Sequence, residues 1–302
     1  ITTPITPHNV QVSRDGRLLL AVGPVAEMTA TESARSPMKM TGRGDMARGR
    51  LLILDAESLA VETAREIEIG RHPAHVVIDA PGKLAYATNS EDNNVLIIDL
   101  ALNKVVGEIE TGAFPHGLRM SPNGHEIYVA NVDDNSVSVI DVTRAKEVAR
   151  IAIGKAPVQV SFTPDGGRAY VSLRDENSVA VIDTGERTKI ATVAVGRNPI
   201  QDFVTPDGRY VYVANQGTDA EPDDSVSVID TGTNAVIATI KTGKGAHGVV
   251  VSDDGKRAFI SNIGDDTVAV IDTATQELLQ TIKVGAGPNG ITFRANLTGV
   301  GG

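Results

Sequence analysis

Five of the six histidines lie at one recurring place in this sequence, at or beside the start of a short predicted strand. These five residues are His8, His72, His75, His116 and His247. Neutral imidazoles are good ligands for copper and zinc, and an imidazole also serves as a general base. The recurrence therefore indicates either a site for a metal ion or small ligand, or a hydrated polar ring without catalysis.

The strands that carry these histidines recur with a period near 42 residues. A Pro-x-x column marks the start of each repeat, at Pro7, Pro73, Pro115, Pro157, Pro199, Ala246 and Pro288, with spacings of 66, 42, 42, 42, 47 and 42 residues. Residues 114–154 show one complete unit, which the pattern of turns divides into four short strands. Four strands per unit at this period are typical of a β-propeller.

The third strand of each unit confirms the register, because it ends in Asp every time. These residues, which we interpret as turn caps, are Asp55, Asp99, Asp141, Asp183, Asp230 and Asp272. The chain thus holds six complete blades and one extra first strand, residues 289–293. We predict an all-β, single-domain propeller over residues 1–302 that is seven-bladed, with the last blade incomplete. Its other three strands are expected before Ile1, and a six-bladed ring with a spare strand is the alternative.

The first strand of each blade is the innermost, so the histidines should line one mouth of the central channel. Consecutive side chains of a strand point to opposite faces, and either orientation pairs His75 with His8 or with His116. We therefore predict His8, His75, His116 and His247 as metal ligands. Blades that lack a histidine here carry a polar amide instead. These residues, predicted to bind a cofactor or small ligand, are Gln159, Gln201 and Asn289.

An insertion at residues 24–50 separates the second and third strands of the first blade. It contains four of the five methionines, namely Met28, Met38, Met40 and Met46. Thioethers suit Cu(I), so Met38, Met40 and Met46 are predicted to join the metal site from above the same mouth. The alternatives are that these methionines only fill an irregular loop, or that this basic segment docks an acidic protein partner. A smaller insertion, 216–223, lies at the equivalent place in a later blade.

Composition excludes several classes of function. The 302 residues carry a formal net charge of -10, which disfavours a nucleic-acid partner. There is no Cys, so thiolate metal sites and Cys nucleophiles are excluded. No apolar run approaches the roughly 18 residues that a transmembrane helix needs.

Two repeats of YVAN, at 128–131 and 212–215, each precede SVSVID, and ATNS at 87–90 is a related copy. These motifs resemble those of the YVTN family of β-propeller repeat proteins over nearly the whole chain. The resemblance implies a bacterial, exported protein with a periplasmic or extracellular location. The architecture is also similar to the haem-carrying propeller of cytochrome nitrite reductases and to lactonase propellers, although a shared fold does not carry function across.

Taken together, these features favour an exported binding protein that holds a metal ion, copper before zinc, or a small ligand at the histidine-lined mouth. One alternative is a lactonase-like hydrolase or lyase that uses a histidine of the same mouth as general base. Another is a protein-interaction scaffold that binds its partner through residues 24–50. The sequence identifies no catalytic residue.

Overall fold

Short strands and tight turns follow each other along the whole chain, as the repeat pattern predicts. A computed structural model of the chain describes residues 3–25, 48–218 and 220–294. These residues form six antiparallel sheets of four strands each, and each sheet pairs its strands in chain order. The prediction of an all-β propeller is confirmed. We number the sheets as blades 1 to 6, each from its innermost first strand to its outermost fourth strand.

The strands are short, and their bounds repeat closely from blade to blade. Blades 1 to 3 contain β1 Asn9–Val12, β2 Leu18–Pro24, β3 Arg48–Asp55, β4 Arg65–Arg71, β5 Pro73–Ile78, β6 Leu84–Asn89, β7 Asn94–Asp99, β8 Lys104–Glu110, β9 Pro115–Met120, β10 Glu126–Asn131, β11 Ser136–Asp141 and β12 Lys146–Ala152. Blades 4 to 6 contain β13 Pro157–Phe162, β14 Arg168–Leu173, β15 Ser178–Asp183, β16 Thr188–Ala194, β17 Pro199–Val204, β18 Tyr210–Gly217, β19 Pro222–Asp230, β20 Ala235–Lys241, β21 Ala246–Val251, β22 Arg257–Asn262, β23 Thr267–Asp272 and β24 Glu277–Lys283. Short 3-10 helices occur at Val61–Thr63, Ser90–Asp92 and Arg174–Glu176.

The YVAN motif is explained by its buried tyrosine and asparagine. Tyr128 is fully buried between blades, and the amide of Asn131 donates hydrogen bonds to Ser136 and Ser138 at 3.0 and 2.8 Å. These serines belong to the following SVSVID strand, and Asn215 makes the same pair of bonds in blade 5. The motif therefore joins the second and third strands of a blade.

The aspartates that end the third strands cap the following turns, as predicted. Asp99 accepts hydrogen bonds from the backbone N–H groups of Ala101 and Leu102 at 2.9 and 2.7 Å. Asp272 accepts the equivalent pair from Ala274 and Thr275. These bonds satisfy donors that the tight turn would otherwise leave without a partner.

The hydrophobic core lies between neighbouring blades rather than within one sheet. One cluster joins blades 1 and 2, another joins blades 2 and 3, and the series continues to blades 5 and 6. The face of blade 6 that points away from blade 5 is less well covered. Ile109, in the fourth strand of blade 2, is 3% exposed, whereas the equivalent Ile282 of blade 6 is 40% exposed.

Residues 287–294 dock on blade 6 in the place of a further first strand, although they form no strand themselves. Ser261 Oγ donates a hydrogen bond to the Asn289 carbonyl at 2.9 Å. In the same way, Ser172 of blade 4 donates to the Ile200 carbonyl of blade 5 at 2.6 Å. The predicted seventh blade is thus represented, among the described residues, only by the position of its first strand.

The fourth strand of each of blades 2 to 6 pairs with the third strand through an irregular register. A bulge interrupts the ladder at the same place in all five, for example between Val139 and Ile140 of blade 3. Because a bulge adds local twist, these outer strands turn away from a flat edge. None of the described residues belongs to a helix long and apolar enough to cross a membrane.

The structure describes only one of the two predicted insertions in full backbone detail apart from residue 219, namely the one in blade 5. In blade 1, β2 ends at Pro24 and β3 begins at Arg48, so Met38, Met40 and Met46 lie outside the described residues. In blade 5, the predicted loop 216–223 largely continues the hairpin, because Gly217 pairs with Pro222.

Candidate functional site

Three histidines from three consecutive blades converge at one end of the channel. His8 directly precedes β1, His75 lies in β5 and His116 lies in β9. Their ring centroids are 5.0 Å apart for His8 and His116, 5.0 Å for His75 and His116, and 5.6 Å for His8 and His75. Each side chain offers a ring nitrogen within 4.8 Å of the other two. This group, the histidine triad, has the geometry of a candidate metal site.

The backbone around the triad is held by a single hydroxyl group. Thr88 Oγ1 accepts a hydrogen bond from the His75 backbone N–H at 3.0 Å and donates one to the His116 carbonyl at 2.7 Å. These two hydrogen bonds therefore join the first strand of blade 2 to that of blade 3. All members of the triad are buried, with exposed fractions of 4% for His8 and 2% for the other two.

The tautomers of two triad members are fixed by backbone carbonyls. His8 Nδ1 lies 2.9 Å from the Ala74 carbonyl, and His116 Nδ1 lies 3.2 Å from the Val158 carbonyl. A carbonyl only accepts, so both Nδ1 atoms carry the proton, and the lone pair of each ring resides on Nε2. His75 Nε2 is buried and has no hydrogen-bond partner. Carbonyls that orient imidazoles in this way are typical of metal sites.

Burial keeps the triad neutral. It lowers the pKa of His8 to about 4, with a smaller contribution from the neighbouring His72. Burial likewise lowers the pKa values of His75 and His116 well below the usual range, and the other histidines nearby lower them further. Neutral imidazoles are the form that binds metal, so the triad is ready for binding at neutral pH.

We expect the free energy of unfolding of the metal-free protein to fall as the pH drops from about 6.5 toward about 4. In this window the unfolded chain protonates histidines that the folded chain keeps neutral, because folding lowers the pKa of His8 to about 4. Urea unfolding at about pH 7 and about pH 5 measures the effect. His8→Asn should reduce the difference, whereas His125→Asn, at an exposed position, should not. An equal pH dependence in both variants would contradict this explanation.

The remaining histidines lie outside the triad. His247, predicted as a metal ligand, is buried in blade 6, and burial lowers its pKa to about 3, but it is not one of the three converging side chains. His72 packs edge-on against Phe114, with ring centroids 5.3 Å apart. It also lies edge-on to His8, with ring centroids 6.5 Å apart.

Two of the three polar amides predicted to line the channel border a common space. Gln159 and Gln201 line a cavity of about 480 Å³ inside the ring of first strands. Asn289 instead lies in the segment docked on blade 6, where Ser261 binds its carbonyl. Sequence reasoning missed the charged residues that line this cavity, Arg14, Arg119, Asp253 and Arg294, and also the buried Asp202. For Asp202 a signal was present, because it stands in a column that other blades fill with apolar residues.

Comparison with known proteins identifies the family. The model of the cytochrome D1 heme domain matches residues 45–200 and again residues 169–290, together more than half of the chain. The chain belongs to the cytochrome d1 heme domain family. The YVTN resemblance of the repeats stays a prediction beside this assignment. A search of curated proteins finds no significant match.

Solved structures share the propeller fold. Hydrazine synthase of Kuenenia stuttgartiensis aligns with a TM-score of 0.79 at 21% identity, covering 96% of this chain and 90% of that one. The β-propeller domain of Cps50 (Swd1) from Myceliophteria thermophila aligns with a TM-score of 0.71 at 14% identity, covering 96% and 88%. At these identities the similarity shows the fold alone.

The family name raises the question of whether the described residues fit a heme. Proteins hold heme iron through His, Cys, Met or Tyr. Among the described residues that line the channel cavity there is none of these four types. The triad, in turn, packs ring against ring and is at most 4% exposed, which leaves no space for a macrocycle between its members. The described part of the channel therefore does not fit a heme.

Proposed function

We propose that this propeller binds one transition-metal ion through His8, His75 and His116. The observation that carries the proposal is the convergence of three buried imidazoles, each with a ring nitrogen within 4.8 Å of the others. Side chains from three separate blades meet there, so the site forms only when the blades are assembled into the ring and cannot form within one hairpin. Imidazole suits copper, zinc, iron and nickel.

Charge favours copper, and specifically Cu(I), over zinc. The triad supplies three neutral ligands, and the group of converging side chains includes no carboxylate. A buried ion that no negative ligand compensates pays a desolvation cost that rises steeply with its charge. A singly charged ion therefore suits this site better than a doubly charged one, and zinc is the alternative.

The spacing of the triad is compatible with a metal site. Metal–nitrogen bonds of about 2.0–2.1 Å place ligand nitrogens roughly 3.3–3.6 Å apart, and the three nitrogens lie within 4.8 Å of one another. The unpartnered Nε2 of His75 favours binding, since a metal bond would satisfy a buried atom that now has no partner.

The other elements of the proposal come from the sequence. Met38, Met40 and Met46 are proposed to cover the site or to add a thioether ligand, and residues 24–50 to contact a protein partner. A periplasmic or extracellular location is part of the same proposal. The hydrolase alternative needs a histidine that reaches substrate, and the burial of all three triad members speaks against it.

Metal analysis of protein purified without chelators tests the proposal. We expect about one equivalent of copper per chain after loading with Cu(I). We expect the same value for His125→Ala, because His125 is exposed and is not a member of the triad. His116→Ala should lose the metal. If the wild-type chain retains neither copper nor zinc after loading and desalting, the proposed function is wrong.

A further inference from the structure

The cavity of about 480 Å³ lies inside the ring of first strands and is separate from the triad, since no triad member lines it. Its walls come from the first strands of several blades and from the docked segment 287–294. The lining includes Arg119, Gln159, Gln201, Phe203, Val249 and Ile291. No histidine is among its described lining residues, and it extends to the turns that follow the first strands, away from the triad. Its volume is typical of a small-molecule site.

Three arginines and one aspartate line this space, namely Arg14, Arg119, Arg294 and Asp253. Arg119 belongs to β9 of blade 3, and its guanidinium lies over the ring of Phe203 from blade 5, 5.5 Å from the centroid. Burial lowers the pKa of Arg119 and the charge of Asp202 opposes that shift, but a guanidinium stays protonated in proteins. Within the described ranges, Arg119 makes no ion pair and donates no hydrogen bond. Its donors are therefore available to an anion in the cavity.

Two amides also line the cavity, but their unpartnered atoms do not face it. Gln159 Oε1 and Gln201 Nε2 have no hydrogen-bond partner and are fully buried, in side chains that are only 3% and 5% exposed. The orientation of the Gln201 amide is fixed, because its Oε1 accepts from the Val249 backbone N–H at 3.4 Å. Arg119 is therefore the group that carries the recognition of an anion.

The buried carboxyl group of Asp202 affects the charge of Arg119 without forming an ion pair with it. Asp202 is 1% exposed and accepts a hydrogen bond from Ser161 Oγ at 2.5 Å. Burial raises the pKa of Asp202 to about 7, against the opposing effects of Ser161 and Arg119. A carboxyl group in this state compensates the guanidinium only partly near neutral pH. The cavity therefore keeps a positive character at Arg119.

We propose that this cavity binds a small organic carboxylate with an apolar body. Its carboxylate group would accept hydrogen bonds from Arg119, and its apolar part would contact Phe203, Val249 and Ile291. The planar fork of arginine matches the geometry of a carboxylate, and three arginines against one aspartate in the lining favour an anion. The proposal does not depend on the triad or on a bound metal.

Isothermal titration calorimetry with benzoate and its uncharged analogue benzamide tests the proposal on the metal-free full chain. We expect benzoate to bind at millimolar concentration or below, and benzamide to bind about tenfold more weakly or not at all. Arg119→Gln should weaken benzoate binding by about tenfold or more, and Arg119→Lys should weaken it less, since lysine keeps the charge but not the fork. Thermal unfolding by circular dichroism shows whether each variant is folded.

Arg209→Gln is the matched control. Arg209 also lies over an aromatic ring, that of Tyr210 at 5.2 Å, but at an exposed position. This variant and His116→Ala should bind benzoate like the wild type, which separates the cavity from the proposed metal site. Absence of benzoate binding to the wild type overturns the proposal. Equal affinity for benzoate and benzamide, or unchanged binding by a folded Arg119→Gln variant, overturns it as well.

Discussion

His75→Ala is expected to weaken metal binding by about 100-fold or more. The loss of an outer-shell partner already costs roughly 10–100-fold, and the loss of a ligand removes a direct bond to the metal. His75 is the member whose Nε2 has no other partner, so its side chain contributes to the site chiefly through the ion. Competition with a chromophoric Cu(I) chelator measures the affinity of wild type and variant side by side.

The control for this experiment is His125→Ala, which removes an exposed histidine and should leave the affinity unchanged. His75→Ala should remain folded, because alanine removes a buried nitrogen without a partner along with the ring. A folded His75→Ala variant that binds Cu(I) as tightly as the wild type would show that the triad is not the site.

Ile109→Ala is expected to lower the free energy of unfolding by about 2–5 kcal/mol, whereas Ile282→Ala should lower it by about 1 kcal/mol or less. The two residues hold the same position in the fourth strands of blades 2 and 6. Ile109 is packed between two blades and 3% exposed, but Ile282 is 40% exposed. Only the first substitution opens a cavity in a closed core.

Urea denaturation of the two variants, with the wild type as reference, gives the comparison. Ile240→Ala serves as a second buried control, since Ile240 of blade 5 is 7% exposed. If Ile282→Ala costs as much as the two buried substitutions, the outer face of blade 6 is covered in solution and is not open.

The propeller could be predicted from the sequence because each element of the repeat has a local cause. The prolines fix where first strands begin, and Asp99 and its equivalents fix the turns after third strands. Alternation within the SVSVID strands then sets which side chains lie between blades. The sequence also predicts that His75 lies near a second histidine, because the first strands of consecutive blades lie side by side in the ring.

The channel site could be predicted only in part, since the channel brings together blades that are not adjacent. Arg119 of blade 3 reaches Phe203 of blade 5, and no pairing rule for neighbouring strands contains that contact. The columns of the repeat nevertheless hold the signal. Asp202 stands where other first strands have Val76, Leu118 or Val160, so a charge in an apolar column marks it.

The bulged fourth strands also bear on how these molecules behave beside one another. Each fourth strand is the outer edge of its sheet, where unpaired backbone groups offer a template for a strand of another molecule. The repeated bulge interrupts and twists that edge, and charges such as Lys104 and Glu110 stand at its two ends. With a net charge of -10 on the chain, we therefore expect the rim of the propeller to resist strand exchange and aggregation even when the protein is concentrated.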